Sequence, residues 1–152
     1  MIENTLSILY KTRENIYNLI SAYSLEQLIE IPTGFNNNLL WNYGHVLVTQ
    51  QLLCYKLSGN EILIDEDIVA RYRKGTFPDH QDAATELTLF NQLCLEQVKR
   101  LEEDLGKGLF VEYKSYQTSF GIELKSIEDA LLFNNAHEAM HLGSMLMIKK
   151  FV

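Results

Sequence analysis

The chain has 152 residues, of which 47% are hydrophobic and 22% charged, with a formal net charge of −7. That length fits a single domain, residues 1–152, and that composition excludes a disordered chain. The acidic balance and the lack of a basic block exclude a general affinity for nucleic acid, and no stretch reaches the roughly 18 apolar residues of a membrane span. The first residues show no basic-then-apolar leader. Cys54 and Cys94 stand far apart and outside any C-x-x-C context, so reduced, buried thiols in a cytoplasmic protein are expected.

Apolar residues recur at helical spacing in four segments. The first runs from about Glu3 to Tyr23 and puts Leu6, Leu9, Ile16 and Ile20 on one face, before a break at Ile31-Pro32-Thr33-Gly34. The second opens after Asn36-Asn37-Asn38, where an asparagine caps free backbone N–H groups, and ends at Gly59. It carries Trp41, His45, Val48, Leu52 and Tyr55. A linker with Gly75 and Pro78 leads to a third helix, with Asp79 as its cap. Leu87, Phe90, Cys94, Val98, Leu101 and Leu105 continue it to Gly106. Leu109 to Leu124 is rich in Tyr, Phe, Val, Thr and Ser, which predicts an extended loop or a short hairpin. Ser126-Ile127-Glu128-Asp129 resembles a capping box, and a last helix follows almost to Val152. Four amphipathic helices with long connections after the second and third predict an all-α fold, a four-helix bundle.

His137 and His141 lie one turn apart, about 40° around the last helix from each other. Ala130, Phe133, Met140, Ser144 and Ile148 share their stripe, which should face the interior. His45 shares its stripe with Trp41, Val48 and Leu52 and should also point inward. A buried histidine taken singly is more often a hydrogen-bonded core residue than a ligand. Three repeat the desolvation cost, which favours a shared purpose. A divalent metal on His45, His137 and His141, with a coordination position left open, is the expectation. His80, in the polar opening of the third helix, is expected to be solvated.

His137-Glu138-Ala139-Met140-His141 also spells H-E-x-x-H, the zinc-peptidase signature. Only 11 residues follow His141, and the extended signature would want Gly at Ser144 and His at Met147. An all-helical bundle supplies no sheet edge for a peptide. The match is read as coincidental, with Glu138 either supporting a ligand or lying at the surface.

The stretches "GFNNNLLWNYGHVLVTQQLLCYKLSG", "RYRKGTFP" and "DALLFNNAHEAMHLGSMLMIKKF" resemble the DinB-like (YfiT-like) family of damage-inducible four-helix-bundle proteins, over nearly the whole chain. This family is unrelated to the lesion-bypass polymerase that shares its name. The resemblance implies a divalent metal, often nickel or zinc, on the positions of His45, His137 and His141. It implies thiol-dependent transferase chemistry with a low-molecular-weight thiol cosubstrate in some members, and no particular substrate.

Three functions compete at this level. One is a metal-dependent enzyme of the thiol-S-transferase or hydrolase type acting on a small molecule. The second is a non-enzymatic metal- or ligand-binding stress protein, and the third a bundle whose histidines merely bond one another and Asn. In the first, Asn42 and Asn134, each near one turn before a histidine, are candidates to orient imidazoles or substrate, although helix-face bonding is the simpler reading. Tyr43, Tyr72 and Tyr116 are candidates for a pocket mouth. Cys54 should point away from the site. Finally, Leu132, Ala139, Leu142, Gly143 and Leu146 lie on the last helix away from the histidines. Either the Leu109–Leu124 segment covers them or a homodimer does.

Overall fold

The computed structural model describes residues 2–79 and 81–152, so the expectation for His80 lies outside the described residues. Four long helices form the bundle: α1 (Ile2–Ile20), α3 (Leu39–Gln50), α5 (Ala83–Gly106) and α6 (Ile127–Ile148). α1 and α3 each pack against both α5 and α6, so α1 and α3 face each other across the diagonal. The other elements are α2 (Leu25–Ile29), α4 (Glu66–Tyr72) and a hairpin of β1 (Tyr116–Gln117) and β2 (Glu123–Leu124). The hairpin pairs Tyr116 with Leu124 and Gln117 with Glu123, as one of the two expectations for this segment. Among the described residues, no helix is long and apolar enough to cross a membrane.

The expected inward stripe of α1 holds: Leu6, Leu9, Ile16 and Ile20 are all buried. The helix stops at Ile20, earlier than expected, because Ser24 and Gln27 form a reciprocal cap that starts α2. Asn38 caps α3 as expected, its Oδ1 accepting from the Trp41 N–H at 2.8 Å. Beyond Gln50 the same rod loosens into a π-helical turn (Gln51–Tyr55), then tightens into a 3-10 turn (Lys56–Ser58). It ends at Gly59, whose φ of 71° lies in the left-handed region that glycine enters at no steric cost.

Two features of the connection before α5 differ from expectation. The linker contains α4, which buries Ile68, Val69 and Tyr72. The residue before α5 is Asp82, not Asp79, and its side chain makes no capping bond. At the start of α6, Ser126 Oγ accepts from the Asp129 N–H at 3.2 Å, but the Asp129 carboxylate reaches past the cap to the Lys125 N–H at 2.9 Å.

The interior has two apolar clusters, one around Leu9, Leu53, Val98 and Leu131, the other around Ile16, Val46, Phe90 and Met145. Between them lies a buried polar layer of Arg13, Gln50, Gln97, Asn134 and Glu138. Arg13 is fully buried and touches all the other long helices. Its guanidinium donates to both Glu138 oxygens (2.6 and 2.8 Å), to the Cys94 carbonyl (3.0 Å), and to Gln50 Oε1 (3.1 Å). Both thiols are free and buried, as expected.

The buried face of α6 is wider than the stripe read from the sequence. Ala130, Phe133 and Ile148 are inside, but Met140 is 44% exposed and Ser144 is exposed. Leu131, Asn134, Glu138 and Met145 take their place, because the face must serve the core as well as the histidine site.

Candidate metal centre

Each histidine is aimed by a different local device. His45 leaves α3 beside Gly44, and a Cβ at Gly44 would sit 2.7 Å from the Phe90 ring and closer still to the Tyr72 ring. The missing side chain therefore lets α4 dock. Tyr72 is the last residue of α4, where carbonyls lack helical partners, and its carbonyl accepts from His45 Nδ1 at 2.7 Å. The Tyr72 hydroxyl bonds the buried Glu86, which pairs in turn with Arg71. Trp41 stacks on the other side of the His45 ring, centroids 4.6 Å apart and 10° from parallel.

His141 is held by Asn42, whose Oδ1 lies 2.8 Å from His141 Nδ1. The Asn42 amide donates to the Asn38 carbonyl (2.7 Å) and to Asn37 Oδ1 (2.9 Å), so its own oxygen must be the acceptor. His141 therefore carries its proton on Nδ1, as His45 does on donating to a carbonyl. Both present a bare Nε2. His137 Nε2 lies 3.2 Å from His45 Nε2, and His137 Nδ1 has no partner among the described residues.

The three ligand atoms fall within 4.8 Å of one another. A separation of 3.2 Å is close to the roughly 3.3 Å between nitrogens bound tetrahedrally at about 2.0–2.1 Å. Two ligand lone pairs fixed by their outer hydrogen bonds, with a third ring against them, are the donor set a divalent cation needs. The residues fit such an ion, and the three histidines singled out in the sequence converge at one place.

Burial lowers all three pKa values. His137 falls to about 2, through desolvation and then the neighbouring His141 and His45, and His141 falls to about 3 through desolvation and then His45. His45 is also lowered by burial, partly offset by the Tyr72 carbonyl. In the fold the rings stay neutral and ready to ligate. In the unfolded chain they take up protons near pH 6.5. Below that pH the unfolded state binds more protons, so stability is full above 6.5 and falls as the pH drops toward the folded values. Metal-free protein should lose up to about 1.4 kcal/mol per pH unit for each of His137 and His141 between pH 6.5 and 5. Thermal melts across that window check this, and a flat melting temperature would contradict it.

Glu138 is neither exposed nor facing the histidines. It is 0% exposed, and Arg13 and the Asn134 amide (2.8 Å) use its oxygens. A surface position is thus overturned, and a general base for peptide hydrolysis has no place in this geometry. Asn134 serves this carboxylate and not an imidazole, whereas Asn42 does orient one. Tyr43 is buried on the Phe90 carbonyl and Asn91, and Tyr72 acts through its backbone, so of the three tyrosines only Tyr116 lines the cavity. Asn42→Ala should weaken metal binding about 10–100-fold, the usual effect of losing an outer partner of a ligating histidine. Chelator competition measures this; unchanged affinity would mean that the Asn42 contact does not matter.

The histidines lie at the floor of an open cavity of about 430 Å³. Trp41, Leu52, Leu57, Phe133 and Met140 form apolar walls, and Tyr116, Thr118 and Phe120 of the hairpin segment close one side. Phe120 meets Phe133 edge to face at 5.4 Å. The sequence reading missed Lys56 and Lys74, which also line the cavity.

The arrangement is a predominantly helical bundle with three histidines converging beside an open cavity. The DinB superfamily profile matches residues 8–145, and the chain belongs to that superfamily. A crystal structure described as the conserved protein of locus from Enterococcus faecalis is similar at a TM-score of 0.69 and 11% identity. The match covers 100% of this chain and 96% of that one, and at such identity it shows the fold alone. No curated protein sequence matches.

Proposed function

We propose that this protein binds one divalent metal ion, nickel or zinc, on His45, His137 and His141 and acts as a metal-dependent enzyme on a small molecule. Thiol-S-transfer and hydrolysis are the reaction types in view. The observation that carries the reading is the pair of Nε2 atoms stripped of protons by the Tyr72 carbonyl and Asn42, opening onto a cavity. An ion there would lower the pKa of a water or of a low-molecular-weight thiol and so supply a nucleophile near neutral pH. The chain's own part is to hold the imidazoles neutral, fix their tautomers and enclose the reactants in an apolar wall.

A purely structural metal would call for a fourth protein ligand, and among the described residues the cluster has three members. Elemental analysis of untagged protein should find about one nickel or zinc per chain. Thiol-transfer and ester-hydrolysis assays should then show turnover that a chelator abolishes. Protein that takes up no metal would leave the histidines as a hydrogen-bonded core.

We also propose a homodimer through α6. The hairpin lies on the cavity side and leaves Leu132 (54%), Leu146 (42%), Ala136, Ala139 and Gly143 exposed. These five recur at alternating four- and three-residue steps, the spacing of a helix–helix seam. Leu142, by contrast, packs against the core. Leu146→Lys should yield monomers in sedimentation with metal content unchanged; a monomeric wild-type protein at micromolar concentration would remove the dimer.

A further inference from the structure

We infer that the cavity selects a small amphipathic organic anion, whose charged group sits at a rim formed by Lys56 and Lys74 while its apolar body points toward the histidines. This rests on the reading of the cavity as the working site and names the substrate class it would take. The chain carries 20 acidic and 13 basic residues, yet among the described residues the charged side chains lining the cavity are two lysines and no carboxylate. An acidic protein that turns only cations toward a pocket favours a negative ligand there.

The backbone turns that carry the two lysines are held in place. Lys56 follows the π-helical turn directly, on the 3-10 turn that closes the α3 rod. Its contact with Glu66 is loose, 3.6 Å between side chains that are 55% and 71% exposed, and leaves the ammonium available. Lys74 precedes Gly75, whose φ of 89° turns the chain after α4. That turn is pinned to the cavity wall, because Thr76 Oγ1 accepts from the Trp41 indole N–H at 3.1 Å and donates to the Arg73 carbonyl at 2.8 Å. Of the other cations in this run, Arg71 is taken by Glu86 and Asp82.

Between rim and floor the walls are aromatic and aliphatic: Trp41, Leu52, Leu57, Phe120, Phe133 and Met140. A cavity of about 430 Å³ holds a body of a ring and a few methylenes. A lysine ammonium is a point charge without the planar fork of arginine, so carboxylate and phosphate monoester serve equally. The experiment carries both.

The test is calorimetric titration of the full chain, metal-free and zinc-loaded, with phenylbutyrate, phenylbutyl phosphate, phenylbutanol and phenylbutylamine. These share a body and differ in charge. In metal-free protein both acids should bind about tenfold tighter than the alcohol, the amine weakest, with the preference shrinking as salt rises. Lys56→Met with Lys74→Met should bring the acids to within about twofold of the alcohol and leave the alcohol's affinity unchanged. An alcohol that binds as well as the acids, or a preference that survives the double substitution without metal, overturns the inference. A preference that appears only with zinc and survives the substitution assigns the anion to the ion, which overturns the lysine rim and supports the metal reading. A lysine-dependent preference in protein that binds no zinc leaves the rim standing and removes the metal.

Discussion

Glu138→Gln should cost about 3–5 kcal/mol of folding stability, the range for breaking a buried ion pair from one side. The exchange keeps the shape of the side chain but leaves the Arg13 guanidinium charged, with its surroundings 0% exposed on both partners. Arg13 gathers α1, α3, α5 and α6 at one level, so the loss falls on the junction of the two apolar clusters. At about 2–4 °C per kcal/mol for a chain of this size, the melting temperature should drop on the order of 10 °C. Arg13→Met combined with Glu138→Met should recover part of the loss, since it removes both desolvated charges together. A drop below about 2 °C for the single variant would contradict the buried-pair assignment. Neither the wild type nor Glu138→Gln should cleave an unstructured peptide, and sustained, chelator-sensitive cleavage by the wild type would restore the protease reading of H-E-x-x-H.

The second large effect is on metal content. His141→Ala should take bound nickel or zinc from about one per chain to near none, with the helical circular dichroism preserved. His45→Ala and His137→Ala should behave alike, and His80→Ala should retain the ion. Trp41 is the only tryptophan and stacks on His45, so its fluorescence reports uptake directly. Full occupancy in His141→Ala would exclude the triad.

Much of this molecule could be read from periodicity. The stripe on α1 and the convergence of the three histidines follow from spacing, because helical geometry fixes which residues share a face. By contrast, α3 is buried on nearly every side from Leu39 to Val48. Contacts between helices could not be read this way. Arg13 sits in the middle of the apolar stripe Leu6–Leu9–Ile16–Ile20, and a charge there demands a buried partner. That signal was present, but nothing in the spacing says that Glu138 answers it. Glu138 lies beside the histidine stripe, and α6 is flanked by both a core and a cavity, so a position off that stripe is still inside. The helices α2 and α4 span only five and seven residues, too short for a repeating pattern to stand out, although Ser24-x-x-Gln27 was a legible cap. The role of the Tyr72 carbonyl leaves no mark in side-chain chemistry at all.

That carbonyl ties the His45 ring to the packing of a short helix. His137 and His141 are neighbours on one long helix, and His141 takes its tautomer from Asn42 of α3. His45 leans on a further element, because it keeps its proton on Nδ1 only while α4 is docked against Gly44. Seven residues are too few to hold a helix in water, so α4 persists only by packing. An ion held by all three nitrogens would therefore favour the docked form of the connection between α3 and α5. The same connection carries Lys74 and the Thr76 clasp on Trp41, so the floor and the rim of the cavity share one support.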